Sequence, residues 1–175
     1  MLKRLHLELA VAAAARACGD STVYVLGRLS ILGKYPGVAE ELIEGDEFEL
    51  FPRSRCEAAG KIEDALGLRS AFRQMHGCGA RARDPIEAVL PEGWQFRLIE
   101  VRTESTGGAS GWCLDPNDLA VGELWSAGNA PPDFVRRLLE HDLIDPDLML
   151  RGMESLPSGR GRCEQALSRL RGRIE

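Results

Sequence analysis

Leu2, Leu5, Leu9, Ala12 and Ala13 recur at helical spacing, and the stripe they form predicts a helix over about residues 3–18, stopped by Gly19. Glu8 interrupts the apolar run and Arg16 closes it, which fits an amphipathic helix better than a signal peptide. Thr22–Leu26 is a short, β-branched apolar run with the pattern of a buried strand. A short helix over Leu29–Leu32 must end before Pro36, and a further helical turn is expected at 38–43. "DEFELF" alternates with a period of two, so 46–51 is expected to be a strand ending at Pro52. "SRCEAAGKIEDALG" reads as a helix closed by Gly67. The segment 70–93, rich in Gly, Arg and Pro, suggests two short strands near 78–82 and 86–90. "QFRLIEVRT" at 95–103 reads as a strand that turns through "TGGASG" at 106–111 into "WCL" at 112–114, forming a hairpin. From Pro116 the pattern becomes helical, at about 116–127, 132–141, 146–154 and 161–173.

This order predicts an α+β fold, a mixed β-sheet flanked by helices and followed by a C-terminal helical segment. The 175 residues suffice for a core at 1–115 with helices at 116–175 packed on it as one compact unit. No apolar run approaches the ~18 residues of a membrane span, so no membrane partner is expected. The formal net charge of −5 argues against wholesale nucleic-acid binding, although a local basic face remains compatible with it. Five cysteines at wide spacing, with no Cys-x-x-Cys pair, argue against a disulfide framework and suit a reducing cytoplasm. His76 and Cys78 lie close together, but zinc requires two more ligands at plausible spacing, and no zinc site is expected.

Two stretches carry candidate chemistry. In "TVYVLGRLSILGKYP" at 22–36 an apolar strand meets a glycine and then a short helix. Five residues separate Gly27 from Gly33 and Tyr35 follows Lys34, so the spacing and the hydroxyl of a P-loop are both missing. The Gly-x-Gly-x-x-Gly dinucleotide fingerprint is absent as well. A strand, a glycine and a helix start can still hold phosphate through backbone N–H groups, but taken alone the stretch is better explained by a glycine that only lets the chain turn. In "EGDEFELFP" at 44–52, strand alternation puts Asp46, Phe48 and Leu50 on one face and Glu47, Glu49 and Phe51 on the other. Glu47 and Glu49 then form a carboxylate pair of the kind Mg²⁺ uses alongside substrate phosphates. A solvated acidic strand face that discourages edge pairing is the competing reading.

Taken together, a strand with a glycine turn, a short helix and a strand bearing Glu-x-Glu is the arrangement of the nucleotidyltransferase fold. "VLGRLSILGKYP" at 25–36, "EFELFP" at 47–52, "AVLPEGW" at 88–94 and "GWCLDPNDLAVGEL" at 111–124 resemble motifs of one family of small bacterial nucleotidyltransferase-like proteins, a domain of unknown function. The resemblance spans roughly residues 5–145. It implies a nucleotidyltransferase-like mixed sheet, Glu47 and Glu49 as catalytic metal ligands for Mg²⁺ or Mn²⁺, and a nucleotide triphosphate held by Gly27, Arg28 and Ser30. The implied reaction transfers a nucleoside monophosphate from metal–NTP to an RNA, protein or small-molecule hydroxyl. Some relatives in the superfamily act as toxins or antitoxins.

The departures from that family's pattern fall at the chemistry. Its Gly-Ser becomes Gly27-Arg28, its Glu-x-Asp becomes Glu47-Phe48-Glu49, and its later lysine falls on Glu123. The basic segment that follows becomes "AGNAPPD" at 127–133, with Asp133 only loosely matched. The resemblance is therefore also compatible with a catalytically impaired binding or regulatory protein, and whether the chain is an enzyme stays open at this point. Glu100 is a further strand carboxylate without a placement near Glu47. Arg160, Arg162, Arg169, Arg171 and Arg173 line a C-terminal segment that suits either an RNA contact or an ordinary amphipathic helix with solvated arginines.

Overall fold

A computed structural model of the chain describes residues 1–126 and 133–157. It divides into two compact units, one of residues 1–87 and 97–115 and the other of residues 88–96 together with those from 116 onward. The first unit is a mixed α/β fold built on a five-stranded sheet.

Helix α1 (Arg4–Cys18) opens the first unit and ends at Gly19 in the left-handed conformation. Strand β1 (Thr22–Leu26) follows, then a 3-10 helix (Arg28–Gly33), a second 3-10 turn (Glu40–Leu42) and β2 (Glu47–Pro52). Helices α2 (Gly60–Leu66) and α3 (Ala71–His76) lead to β3 (Gly79–Ala82). Strands β4 (Ile99–Val101) and β5 (Ser110–Cys113) form the expected hairpin. The sheet order is β3-β2-β1-β5-β4, with β1 antiparallel to β2 and parallel to β5, and β2 parallel to β3.

Strand alternation sorts the two sheet faces. Val23, Val25, Phe48, Leu50, Ala80, Val101 and Cys113 enter the core, where Leu7, Ala10, Val11 and Ala14 of α1 and Ile62 and Leu66 of α2 meet them. Registers Tyr24↔Phe51, Tyr24↔Trp112 and Glu49↔Arg81 place the alternate residues on the other face. The Arg4 guanidinium donates to the Leu32 and Gly33 carbonyls at 2.7 Å each, satisfying the end of the 3-10 helix from α1. Lys34 closes the same corner by pairing with Asp115 at 2.9 Å.

Several expectations need correction. The helix expected over 54–67 is broken into a 3-10 turn at Cys56–Ala58 and α2, because Ser54 and Arg55 donate their backbone N–H groups to Asp20 and hold the chain out of helical geometry. Helix α3 was not expected; Ser70 caps it by accepting the Arg73 N–H. No strand forms at 86–90, because Asp84 accepts the Ile86 N–H and sets a 3-10 turn over Pro85–Glu87. The long strand expected at 95–103 shrinks to Ile99–Val101, with Trp94–Phe96 a 3-10 turn belonging to the second unit.

That second unit holds α4 (Pro116–Ser126), α5 (Asp133–Glu140) and α6 (Pro146–Glu154). Asn117 accepts the Asp145 N–H at 2.7 Å, and Asp145 caps α6. A Cβ at Gly122 would stand 2.8 Å from the Val89 carbonyl oxygen, so this glycine lets "AVLPEGW" lie directly on "DLAVGEL". From the same segment the Glu92 N–H donates to Ser155 Oγ at 3.1 Å. The expected helix at 161–173 and most of "AGNAPPD" lie outside the described residues. Among the described residues, no helix is long and apolar enough to cross a membrane.

Candidate functional site

The turn after β1 depends on Gly27. Its φ of 67° with ψ of −177° lies in a region that only glycine enters readily. A Cβ there would also stand 2.6 Å from Glu49 Oε2, so the missing side chain is the space in which the Glu49 carboxylate rests. The register Leu26↔Glu49 explains this approach, because β2 runs antiparallel past the end of β1. The glycine turn and the acidic strand therefore meet.

Glu47 and Glu49 share a sheet face, as the alternation predicted, while Phe48 between them is fully buried. What faces them is a second alternating pair. Arg81 stands opposite Glu49 on β3, and Arg83 follows two residues later, its N–H extending the ladder to the Leu50 carbonyl at 3.0 Å. Arg81 Nη2 donates to Glu49 Oε1, and Arg83 Nη1 donates to Glu49 Oε2. Arg81 also lies 3.7 Å from Glu47. Both Glu49 oxygens are thus engaged by guanidinium groups. Burial raises the Glu49 carboxyl's pKa, but the hydrogen bonds and charges of Arg83 and Arg81 outweigh it and hold the group below the ordinary glutamate range. Arg81 is in turn held more firmly protonated, chiefly by its hydrogen bond to Glu49.

The remaining expected residues divide. Arg28 begins the 3-10 helix and directs its guanidinium to Glu44. Ser30 is fully buried, and its hydroxyl donates to the Leu114 carbonyl at 3.4 Å, so it faces the interior and not the turn's outer surface. Glu100 lies on β4, with β5 and β1 between it and β2, and accepts the Ser110 hydroxyl at 2.6 Å. It does not complete a metal site with Glu47. Among the described residues, no group of three or more His, Cys, Asp and Glu side chains is placed to hold a metal ion. Glu123 lies on α4 of the second unit. Cys113 is fully buried, and burial pushes its thiol up to about 12, so it packs and does not react.

Sequence reasoning missed Arg81 and Arg83. The signal was present in "GARARDP", an Arg-x-Arg with the same two-residue period as Glu47-x-Glu49, but only the parallel pairing of β2 with β3 puts the two patterns side by side. Farther along the same face, Arg53 lies over the Tyr24 and Trp112 rings at 5.6 and 5.5 Å.

These features define the molecule's class as a mixed α/β protein with a five-stranded sheet, flanking helices and a charged cluster beside a glycine turn. In comparisons with family models, with characterised proteins and with solved structures, no match was found.

Proposed function

We propose that this chain is a nucleotidyltransferase-like binding or regulatory protein whose acidic strand is bridged by arginines instead of serving as a two-metal centre. The order of helix, strand, glycine turn, short helix and acidic strand supports the nucleotidyltransferase-like part of the reading. The observation that carries the rest is the engagement of both Glu49 oxygens by Arg81 and Arg83. Mg²⁺ requires carboxylate oxygens in near-octahedral geometry at about 2.0–2.1 Å. To bind here it would have to displace two charge-assisted hydrogen bonds and sit beside two guanidinium cations.

A second reading keeps the enzyme. Glu49 rests against the Gly27 turn and shares a face with Glu47, the juxtaposition that metal-dependent nucleotidyl transfer needs. In that case Mg²⁺ or Mn²⁺ would be held by Glu47 and Glu49, and Gly27 with Arg28 would hold the triphosphate. Thermal-shift titrations with each NTP, with and without Mg²⁺ or Mn²⁺, separate the two. The first reading expects any nucleotide stabilisation of the wild type to persist in EDTA, whereas a metal-dependent shift abolished in Glu47→Gln/Glu49→Gln would replace it with the second. At one hundred times Kd a ligand adds about 2.7 kcal/mol, well within reach of this measurement.

A further inference from the structure

We infer that Arg81 and Arg83 form an anion site for linked phosphates, and that Glu49 is its built-in competitor. The inference rests on the arginine-bridged reading above and names the ligand class of the same corner.

Arg81 and Arg83 lie two residues apart on one strand edge, so their side chains project side by side. Both already hold one anion, Glu49, each guanidinium giving one charge-assisted hydrogen bond to a separate carboxylate oxygen, and guanidinium binds phosphate oxygens in the same way. The exposures are unequal in a useful direction. The Glu49 side chain is 14% exposed, while those of Arg81 and Arg83 are 53% and 34% exposed. A ligand from solvent therefore reaches the cations without first crossing the carboxylate.

The charges of Glu47, Glu49, Arg81 and Arg83 sum to zero, so the resting cluster exerts little net attraction on a distant anion. A pyrophosphate group supplies several oxygens and more charge than one carboxylate, enough to take over both guanidiniums at close range. The glutamate it displaces has solvent on the Glu47 side, where the neighbouring carboxylate is exposed. Linked phosphates fit better than a lone one, because adjacent phosphoryl groups can engage neighbouring arginines at once.

The sign of one substitution separates this from metal binding. Removing a competing carboxylate tightens anion binding, whereas removing a metal ligand weakens it. The test is calorimetric titration of pyrophosphate and tripolyphosphate, in EDTA and low salt, into wild type, Glu49→Gln, Glu47→Gln and Arg81→Gln/Arg83→Gln. We expect Glu49→Gln to bind at least about tenfold more tightly than wild type, Glu47→Gln to change in the same direction by less, and the double arginine variant to lose binding. Glu47 is exposed and its pairing to Arg81 is long, so Glu47→Gln carries the test if Glu49→Gln folds poorly.

Unchanged anion affinity in all three variants would overturn the site while leaving metal-free binding elsewhere intact. Absence of anion binding in both wild type and Glu49→Gln would also overturn it. Binding that requires Mg²⁺ and disappears in Glu49→Gln would overturn both this inference and the reading on which it rests.

Discussion

Asp20 and Glu49 sit at opposite ends of β1, and both carboxyls are held below their ordinary pKa by different partners. Asp20 precedes the strand and is only 5% exposed. Its Oδ1 accepts the Thr22 N–H and hydroxyl at 3.0 and 2.9 Å, and its Oδ2 accepts the Ser54 and Arg55 N–H groups at 2.7 and 3.0 Å. Burial raises its pKa, and the hydrogen bonds from Ser54, Thr22 and Arg55 more than reverse that. Glu49, by contrast, is held by two mobile-ended cations that solvent also reaches. The Asp20 carboxylate ties the start of β1 to the turn after β2 through four fixed donors, whereas Glu49 is held only by the ends of two arginine side chains. The first pattern suits stability, and the second is the one that the proposed anion exchange requires.

The largest effect is expected from breaking the first pattern. Asp20→Ala leaves four donors without their acceptor, two of them the Ser54 and Arg55 N–H groups that fix where β2 ends and the following turn begins. Each buried unsatisfied donor costs about 1–3 kcal/mol, and water entering the gap recovers part of the sum. The expected loss is about 3 kcal/mol, read as a fall in Tm of about 6–12 °C for a chain of this size. A loss below about 1 kcal/mol in chemical denaturation would show that the two carboxylates are equivalent after all.

Those two corners also differ in how far they were legible in the sequence. Thr22–Leu26 is a strand with the expected bounds, because a β-branched run flanked by glycine leaves few alternatives. The burial of Phe48 and Leu50 against the exposure of Glu47 follows directly from the two-residue period. Asp20 escaped notice because its partners are backbone N–H groups of residues 54 and 55, which no side-chain pattern records. Arg81 and Arg83 escaped notice for another reason. Their identities were visible, but a parallel β2–β3 pairing joins segments more than 30 residues apart, and register across such a crossover is set by the packing of α2 and α3, not by local sequence. The strand expected at 95–103 is shorter because Trp94–Phe96 winds into a 3-10 turn, its Trp94 and Phe96 N–H groups bonded to the Pro91 and Gly93 carbonyls, an exposed local turn that periodicity does not reveal.

An intermediate effect is expected from Gly27→Ala, which acts on the second corner through its backbone. The φ of 67° disfavours any side chain there, and the new Cβ would stand 2.6 and 2.8 Å from Glu49 Oε2 and Cδ. The carboxylate is the end of a flexible chain and can move aside, so the backbone term dominates, at about 1–2 kcal/mol. The informative readout is combined: a stability loss in this range together with altered anion affinity, since the displaced carboxylate must change its hold on Arg83. A stability loss with unchanged affinity would separate the turn from the charged cluster.

The smallest effect is expected from Glu49→Gln, and it discriminates through its dependence on pH and salt. Because Glu49 has a depressed folded-state pKa, its ionised form stabilises the fold above the ordinary glutamate pKa of about 4.3, and that contribution fades as pH falls through the lower folded value. The same sign holds for Asp20, so wild type should weaken below about pH 4 through both groups. Glutamine at 49 removes one of the two titrations. At pH 7 the expected loss is about 1 kcal/mol or less, as for other ion pairs with solvent-reachable partners. As pH falls through the depressed folded-state value the variant and wild type should converge, because the glutamate then becomes neutral as well. Raising the salt to 1 M shortens the screening length to about 3 Å and should shrink the difference at pH 7, while leaving the Asp20 contribution, carried by neutral donors to a buried carboxylate, almost unchanged. A Glu49→Gln loss that resists both acid and salt would mean that Glu49 is locked in place as firmly as Asp20, and a ligand could not then exchange with it.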